Sequence, residues 1–178
     1  EKKLYGGGLS IRSTLNTDYQ TYAQKALRDG LLDYDRRNGF RGPVAKLETL
    51  EAWWEEIVKI RSPSDLGAWR LAVVLSVDAG EASIGLRPRV NRARRFEETI
   101  DVGRLPLAAV SWARAAPNSE NGYRKIGPKV KRVDQVLSVG DVVWVSPGAE
   151  PGVYTLEQLP EVNGAIVALN PHTGRVLA

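Results

Sequence analysis

Residues able to do chemistry are few in this chain, and they are scattered. No serine has a lysine three residues on, so the S-x-x-K pairing that activates a hydroxyl nucleophile is missing. Ser119-Glu120-Asn121 matches an S-x-N string, but it stands alone in a turn-rich stretch. In place of K-T-G there is only His172-Thr173-Gly174, again in a turn. His172 is the single histidine and there is no cysteine, so a metal site would lack most of its usual donors. His172 therefore reads as a solvated turn residue. Asp33 and Asp35 are two positions apart on a helical pattern and do not face each other as an acid–base pair would. Tyr5-Gly6-Gly7-Gly8 has neither the P-loop lysine nor the G-x-G-x-x-G spacing and reads as a flexible connector. The expectation is no catalytic, cofactor-binding or metal-binding residue, and no cofactor.

Binding is better represented. Arg87, Arg89, Arg92, Arg94 and Arg95 cluster in LRPRVNRARR, and YRKIGPKVKR adds further cations. Such a patch could hold phosphate, nucleic acid or an acidic partner. The plainer reading is a solvated surface, because Glu97, Glu98 and Asp101 follow at once and dilute the charge. Trp53 and Trp54 could stack on a sugar ring. Adjacent helical residues point about 100° apart, so one of the pair is expected in the core and the other at a contact surface. These seven residues, Trp53, Trp54, Arg87, Arg89, Arg92, Arg94 and Arg95, form the candidate interaction surface.

The elements that must position them follow from periodicity. Leu9 to Leu15 alternate apolar and polar and read as a strand. Thr17 with Gln20 suggests a capping box for a helix whose apolar stripe includes Tyr19, Tyr22, Leu27, Leu31 and Tyr34. Arg36 and Arg37 fill its last turn and Asn38-Gly39 ends it. A second helix is predicted over about 48–60, stopped by Ser62-Pro63. From about 67 to 160 the chain reads as β: AWRLAVVLSV, EASIGLR, EETIDV, LAAVSWAR, GDVVWVSP and VYTLEQL, with a short helical turn near Val133 to Leu137. Short strands with one inserted helical turn suggest a small barrel of the OB type, with a generic β-sandwich second. Ala165 to Leu169, the NPHTG turn and Arg175 onward form a closing hairpin.

Composition sets the outer bounds. The chain has 178 residues, a formal charge of +4, 43% hydrophobic and 26% charged residues, enough for a real core. No run approaches the roughly 20 apolar residues of a membrane-spanning helix, and no signal peptide is visible. Position 1 is not methionine, which suggests an excised piece.

Several stretches together resemble one family. GGLSIRSTLNTDYQTYAQKALRDGLLDYDRRNGFRGP is similar to the segment after the glycosyltransferase domain of class A, bifunctional penicillin-binding proteins. There a TTID-like tetrapeptide, here Ser13 to Asn16, leads into a helix that closes on YDRRxGYRGP, here Tyr34 to Pro43. VSWARAA, the run from Asp134 to Val145 and LEQLPEVNGAIVALNPHTGRVLA resemble later parts in family order. Asn16 for the usual acid and Phe40 for tyrosine are mild departures.

The resemblance implies an α+β fold, mainly β: a small OB-like barrel flanked by a strand–helix linker and a terminal hairpin. It implies a linker strand and helix over 1–46, an OB-like docking domain with a leading helix over 47–160, and over 161–178 the first hairpin of a truncated transpeptidase domain. The segment would be a non-catalytic docking module. Its parent would polymerise lipid II and cross-link peptides by D,D-transpeptidation, as the periplasmic part of a bacterial inner-membrane protein. Implied partners are the flanking glycosyltransferase and transpeptidase domains and an outer-membrane lipoprotein activator or other cell-wall synthesis protein. No nucleic acid is expected, and membrane contact only through the parent's N-terminal anchor. Leu27, Leu31, Tyr34, Ile166, Val167 and Leu169 are the expected interdomain packing residues, packed together or partly exposed. Two alternatives stand beside this: a basic OB-type nucleic-acid binder and a glycan-binding module of the cell envelope.

Overall fold

The computed structural model describes residues 12–63, 66–89, 100–116 and 126–178. The chain divides into two compact units, Tyr34–Glu161 and a smaller one of Glu1–Asp33 with Val162–Ala178.

The larger unit is built on antiparallel strands: β1 (Ala45–Lys46), β2 (Arg70–Val77), β3 (Glu81–Leu86), β4 (Val102–Pro106), β5 (Asp141–Pro147) and β6 (Tyr154–Glu157). The order is β1-β5-β2-β3-β4, with β6 also paired to β5. The Arg104 N–H donates to the Gly152 carbonyl at 2.9 Å, and Arg104 and Val153 form a parallel bridge. That contact brings β6 beside β4, so five strands go round in the order β5-β2-β3-β4-β6. This is the expected OB-like barrel in an α+β chain.

Two hydrophobic clusters explain why β2 and β5 are nearly continuous apolar runs. Ala72, Val74, Ile84, Leu105, Val143 and Leu156 point into the barrel. Leu71, Val73, Val142 and Trp144 point out, against Trp53 and Ile57 of the helix α2 (Trp53–Lys59). Both faces of these strands are therefore buried, which removes the alternation a one-sided strand would show. The fit is close at Gly85, where a Cβ would stand 2.3 Å from the Trp53 ring.

Three local expectations are corrected. LAAVSWAR was expected as a strand; Leu107–Val110 is instead a short helix, α3. Pro106 ends β4, and Leu107 and Val110 at i and i+3 turn apolar side chains toward the barrel core. α2 begins at Trp53, later than predicted, because β1 pairs with β5 and Leu47 donates to the Gly140 carbonyl at 2.8 Å, holding the preceding chain extended. The helix α1 (Thr17–Arg37) is capped by Asn16, not Thr17: Asn16 Oδ1 accepts from the N–H groups of Asp18 at 2.9 Å and Tyr19 at 3.1 Å. The helical turn expected near Val133 is a 3-10 turn, Val133–Gln135. Residues 9–11 of the first predicted strand, and 97–99 of EETIDV, lie outside the described residues.

In the smaller unit the closing hairpin is present. Asn170 donates its N–H to the Arg175 carbonyl at 2.9 Å, and Leu177 donates to Ala168 at 2.8 Å. The turn is set by Asn170 Oδ1, which accepts from the N–H groups of His172 and Thr173. The Asn16 N–H donates to the Leu177 carbonyl at 2.9 Å, tying the start of α1 to this hairpin.

Candidate functional site

The most elaborate polar construction lies in the larger unit, where the last turn of α1 meets β6. α1 stops because Asn38 Nδ2 bonds the Tyr34 carbonyl and Gly39 adopts φ 91°, where a Cβ would stand 2.8 Å from the Arg114 carbonyl oxygen. The chain then turns back through Phe40 and Arg41. Asp35, 3% exposed, accepts from Arg41 Nη1 and from Gln158 Nε2, both at 2.7 Å. Gln158 Oε1 accepts from the Arg41 N–H at 2.7 Å, and its amide also donates to the Gly39 carbonyl at 3.1 Å. Arg41 further donates to the Leu159 carbonyl and pairs with Glu161 at 3.1 Å. Beside this knot, Arg36 pairs with the buried Glu157 at 2.5 Å, and Ser146 donates its hydroxyl to the same carboxylate. The Arg36 guanidinium lies 5.4 Å from the Trp112 ring centroid, and the Phe40 ring meets Trp112 edge-on at 6.0 Å.

The chemistry of this knot is mechanical. Every carboxylate in it is held by a guanidinium or an amide. The Arg41 guanidinium spreads its donors over three acceptors, Asp35, the Leu159 carbonyl and Glu161, and so ties the last turn of α1 to the segment after β6. Sequence reasoning reached half of it. Tyr34 to Pro43 and the LEQLP stretch both carry family-like sequence, but Glu157 and Gln158 are not among the site residues that reasoning suggests. The signal available was two polar residues closing the apolar strand YTLEQL.

The candidate interaction residues separate. Trp53 is 6% exposed and serves the packing of α2, so it is not a contact residue; Trp54 is 37% exposed and meets Trp53 edge-on. Arg87 donates from Nη2 to the Val58 carbonyl at 2.8 Å, in the last turn of α2, where a cation complements the free carbonyls. Burial pushes its pKa down from the ordinary guanidinium value. Arg89 is exposed at the end of the same segment. Arg92, Arg94 and Arg95 lie outside the described residues. At the β2–β3 turn, the N–H groups of Glu81 and Gly80 hold the Asp78 carboxyl below its ordinary value.

The predicted packing residues also separate. Leu27 and Leu31 are half-buried beside Gly164 in the smaller unit. Ile166, Val167 and Leu169 are exposed there, Val167 to 65%, and Tyr34 in the larger unit is exposed as well. Among the described residues, no group of His, Cys, Asp and Glu is placed to hold a metal ion, and no helix is long and apolar enough to cross a membrane.

Residues 40–162 match the family model for the penicillin-binding protein OB-like domain. The chain belongs to this family. It is 38% identical over its whole length to penicillin-binding protein 1A of Rickettsia prowazekii (strain Madrid E), of which it covers 19%. It is 31% identical over 98% of its length to the Escherichia coli (strain K12) protein of the same name, again covering 19%. The crystal structure of penicillin-binding protein 1A from Haemophilus influenzae aligns over 99% of this chain and 22% of that one, with a TM-score of 0.57 and 23% identity, a likeness of fold. The chain is thus a segment of a class A penicillin-binding protein that carries the OB-like domain, and it spans about a fifth of the length of these curated relatives.

Proposed function

We propose that this OB-like segment is a non-catalytic docking and spacing module of a bifunctional peptidoglycan synthase. Its parent would polymerise lipid II and cross-link the peptides by D,D-transpeptidation. The module would sit between the two catalytic domains in the periplasm, held to the inner membrane by the parent's N-terminal anchor. In this reading 1–46 is linker, 47–160 the docking domain and 161–178 the opening hairpin of the transpeptidase. The free barrel surface would face a regulator of cell-wall synthesis, of which an outer-membrane lipoprotein activator is the kind the family implies.

The observation that carries the reading is the smaller unit's apolar surface. Leu15, Tyr19, Tyr22, Ile166, Val167, Leu169 and Val176 are all exposed in a unit of at most 50 residues. A patch of that kind marks a surface made to be covered, and the relatives are about five times as long as this chain (the catalytic domains supply the cover). The knot of Asp35, Arg41 and Gln158 supports the spacing role, since it ties the two ends of the larger unit's chain, at Asp35 and Gln158, to each other.

Labelling with a fluorescent penicillin tests the proposal. The full-length parent should label and the 178-residue chain should not. A labelled segment would refute the non-catalytic reading outright. In the parent, Val167→Asp should lower the transpeptidase melting temperature, while in the segment it should be close to neutral. Equal effects in both would remove the interdomain assignment.

A further inference from the structure

We propose that a cleft at the rim of the barrel binds a short acidic segment of a partner protein. The cleft, of about 420 Å³, lies between the start of β2, the chain after β3 and the β5–β6 turn. Trp69 and Tyr154, both partly exposed, form two walls, and the exposed Pro147 adds apolar surface beside them, with the buried Pro88 behind. The cations are Arg70, Arg87 and Arg89, and among the described residues lining the cleft none is acidic.

The three arginines are not equivalent. Arg70 is already engaged, with Nη1 on Asp101 at 2.9 Å and Nη2 on the Arg87 carbonyl at 2.6 Å. It forms the floor. Arg87 is partly buried and anchored to α2 through the Val58 carbonyl, so its charge is fixed in place. Arg89 is exposed at the mouth and carries the fork that a ligand carboxylate would meet.

This chemistry selects among anions. Sugar hydroxyls need side-chain acceptors as well as donors, and among the described lining residues only Ser62 and Tyr154 carry an acceptor. A nucleic-acid strand needs successive stacking platforms along a basic track. Here the outer face of β2 and β3 is covered by Trp53 and α2. A peptide with one or two carboxylates and apolar or proline side chains meets Arg89 with the former and the Trp69, Tyr154 and Pro147 surface with the latter. That the partner is a protein rests on the docking reading above; the ligand's charge and size rest on the cleft itself.

The test is an NMR titration of the 178-residue chain, following the Trp69 indole N–H. The probes are a hexapeptide of Glu, Pro and Leu, its Gln-for-Glu counterpart, a peptidoglycan disaccharide and oligothymidylate. The acidic peptide should give a saturable shift, weakened by raising salt from about 50 to about 200 mM. Arg89→Glu should weaken it roughly tenfold or more, with the Trp53 and Trp112 indole signals unmoved as proof of folding. Saturable binding of the Gln peptide with equal strength, of the disaccharide or of the oligonucleotide in its place, an unchanged affinity in Arg89→Glu, or no saturable binding at low salt would each overturn the proposal. None of these outcomes bears on penicillin labelling of the parent, so the two readings fail separately.

Discussion

Replacing Asp35 by alanine should loosen the last turn of α1 within the larger unit. The carboxylate receives an ion-pair hydrogen bond from Arg41 Nη1 and a second, charge-assisted one from the neutral Gln158 amide, both at 2.7 Å. Hydrogen bonds to a charged group contribute about 1.5–3 kcal/mol each. The partners are not wholly orphaned. Arg41 keeps Leu159 and Glu161, and the Gln158 amide keeps the Gly39 carbonyl. The expected loss is therefore about 3 kcal/mol, at the low end of what breaking a buried pair costs. For a chain of this size that lowers the melting temperature by about 6–12 °C. Asp35→Asn should recover little, since its NH₂ must face one of two donors. Urea unfolding followed by tryptophan fluorescence measures the loss, and a double-mutant cycle with Arg41→Ala should return a coupling of about 1.5 kcal/mol or more. A loss under about 1 kcal/mol, or a coupling near zero, would show that Phe40 and Trp112 packing holds the junction and that the polar knot is incidental.

Gly85→Ala should destabilise the barrel by about 1–3 kcal/mol, because the new Cβ would displace the Trp53 ring from its slot; an unchanged denaturant midpoint would mean α2 rides loosely on the sheet. Asp78 gives a pH signature. Its carboxyl is held below the ordinary value by two backbone N–H donors, so its contribution is complete above the unfolded-state value and is lost as pH falls through the lowered folded one. Asp78→Ala should therefore flatten the acid limb of stability against pH relative to the parent sequence, read as melting temperature across the range about pH 2–5.

What could be read from the sequence was what a single period or a single turn residue decides. The stop of α1 at Asn38-Gly39 and the turn at NPHTG each rest on local backbone chemistry. β2, β3, β5 and β6 were visible as apolar runs. What was missed depended on partners distant in the chain. LAAVSWAR is too short for its period to separate strand from helix, and Pro106 with the barrel core decides for helix. Asn16 outranks Thr17 as a cap because its amide oxygen reaches two N–H groups at once. Glu157 and Gln158 looked like ordinary polar residues at a strand end, since their partners at Asp35, Arg36 and Arg41 lie more than 110 positions away.

The place left for binding on this barrel follows from what its own chain already covers. OB barrels that read nucleic acid use the face of their second and third strands and the adjoining loops. Here α2 lies over the outer side of β2 and β5 and reaches β3, where the Trp53 ring stands against Gly85. On β4 the backbone at Gly103 is roofed by the Tyr154 ring, since a Cβ there would meet it at 2.5 Å. The Trp53 ring and one face of the Tyr154 ring are thus taken up in packing. The open edge of β5 is closed at one end by β1 and at the other by β6, so strand addition is also blocked along most of its length. Among the described residues the rim cleft combines aromatic walls with the exposed Arg89. The short helix α2 thus takes up the outer side of β2 and β5, and the Tyr154 ring covers the backbone of β4 at Gly103, so on these strands the chain's own side chains occupy the places where a ligand would lie.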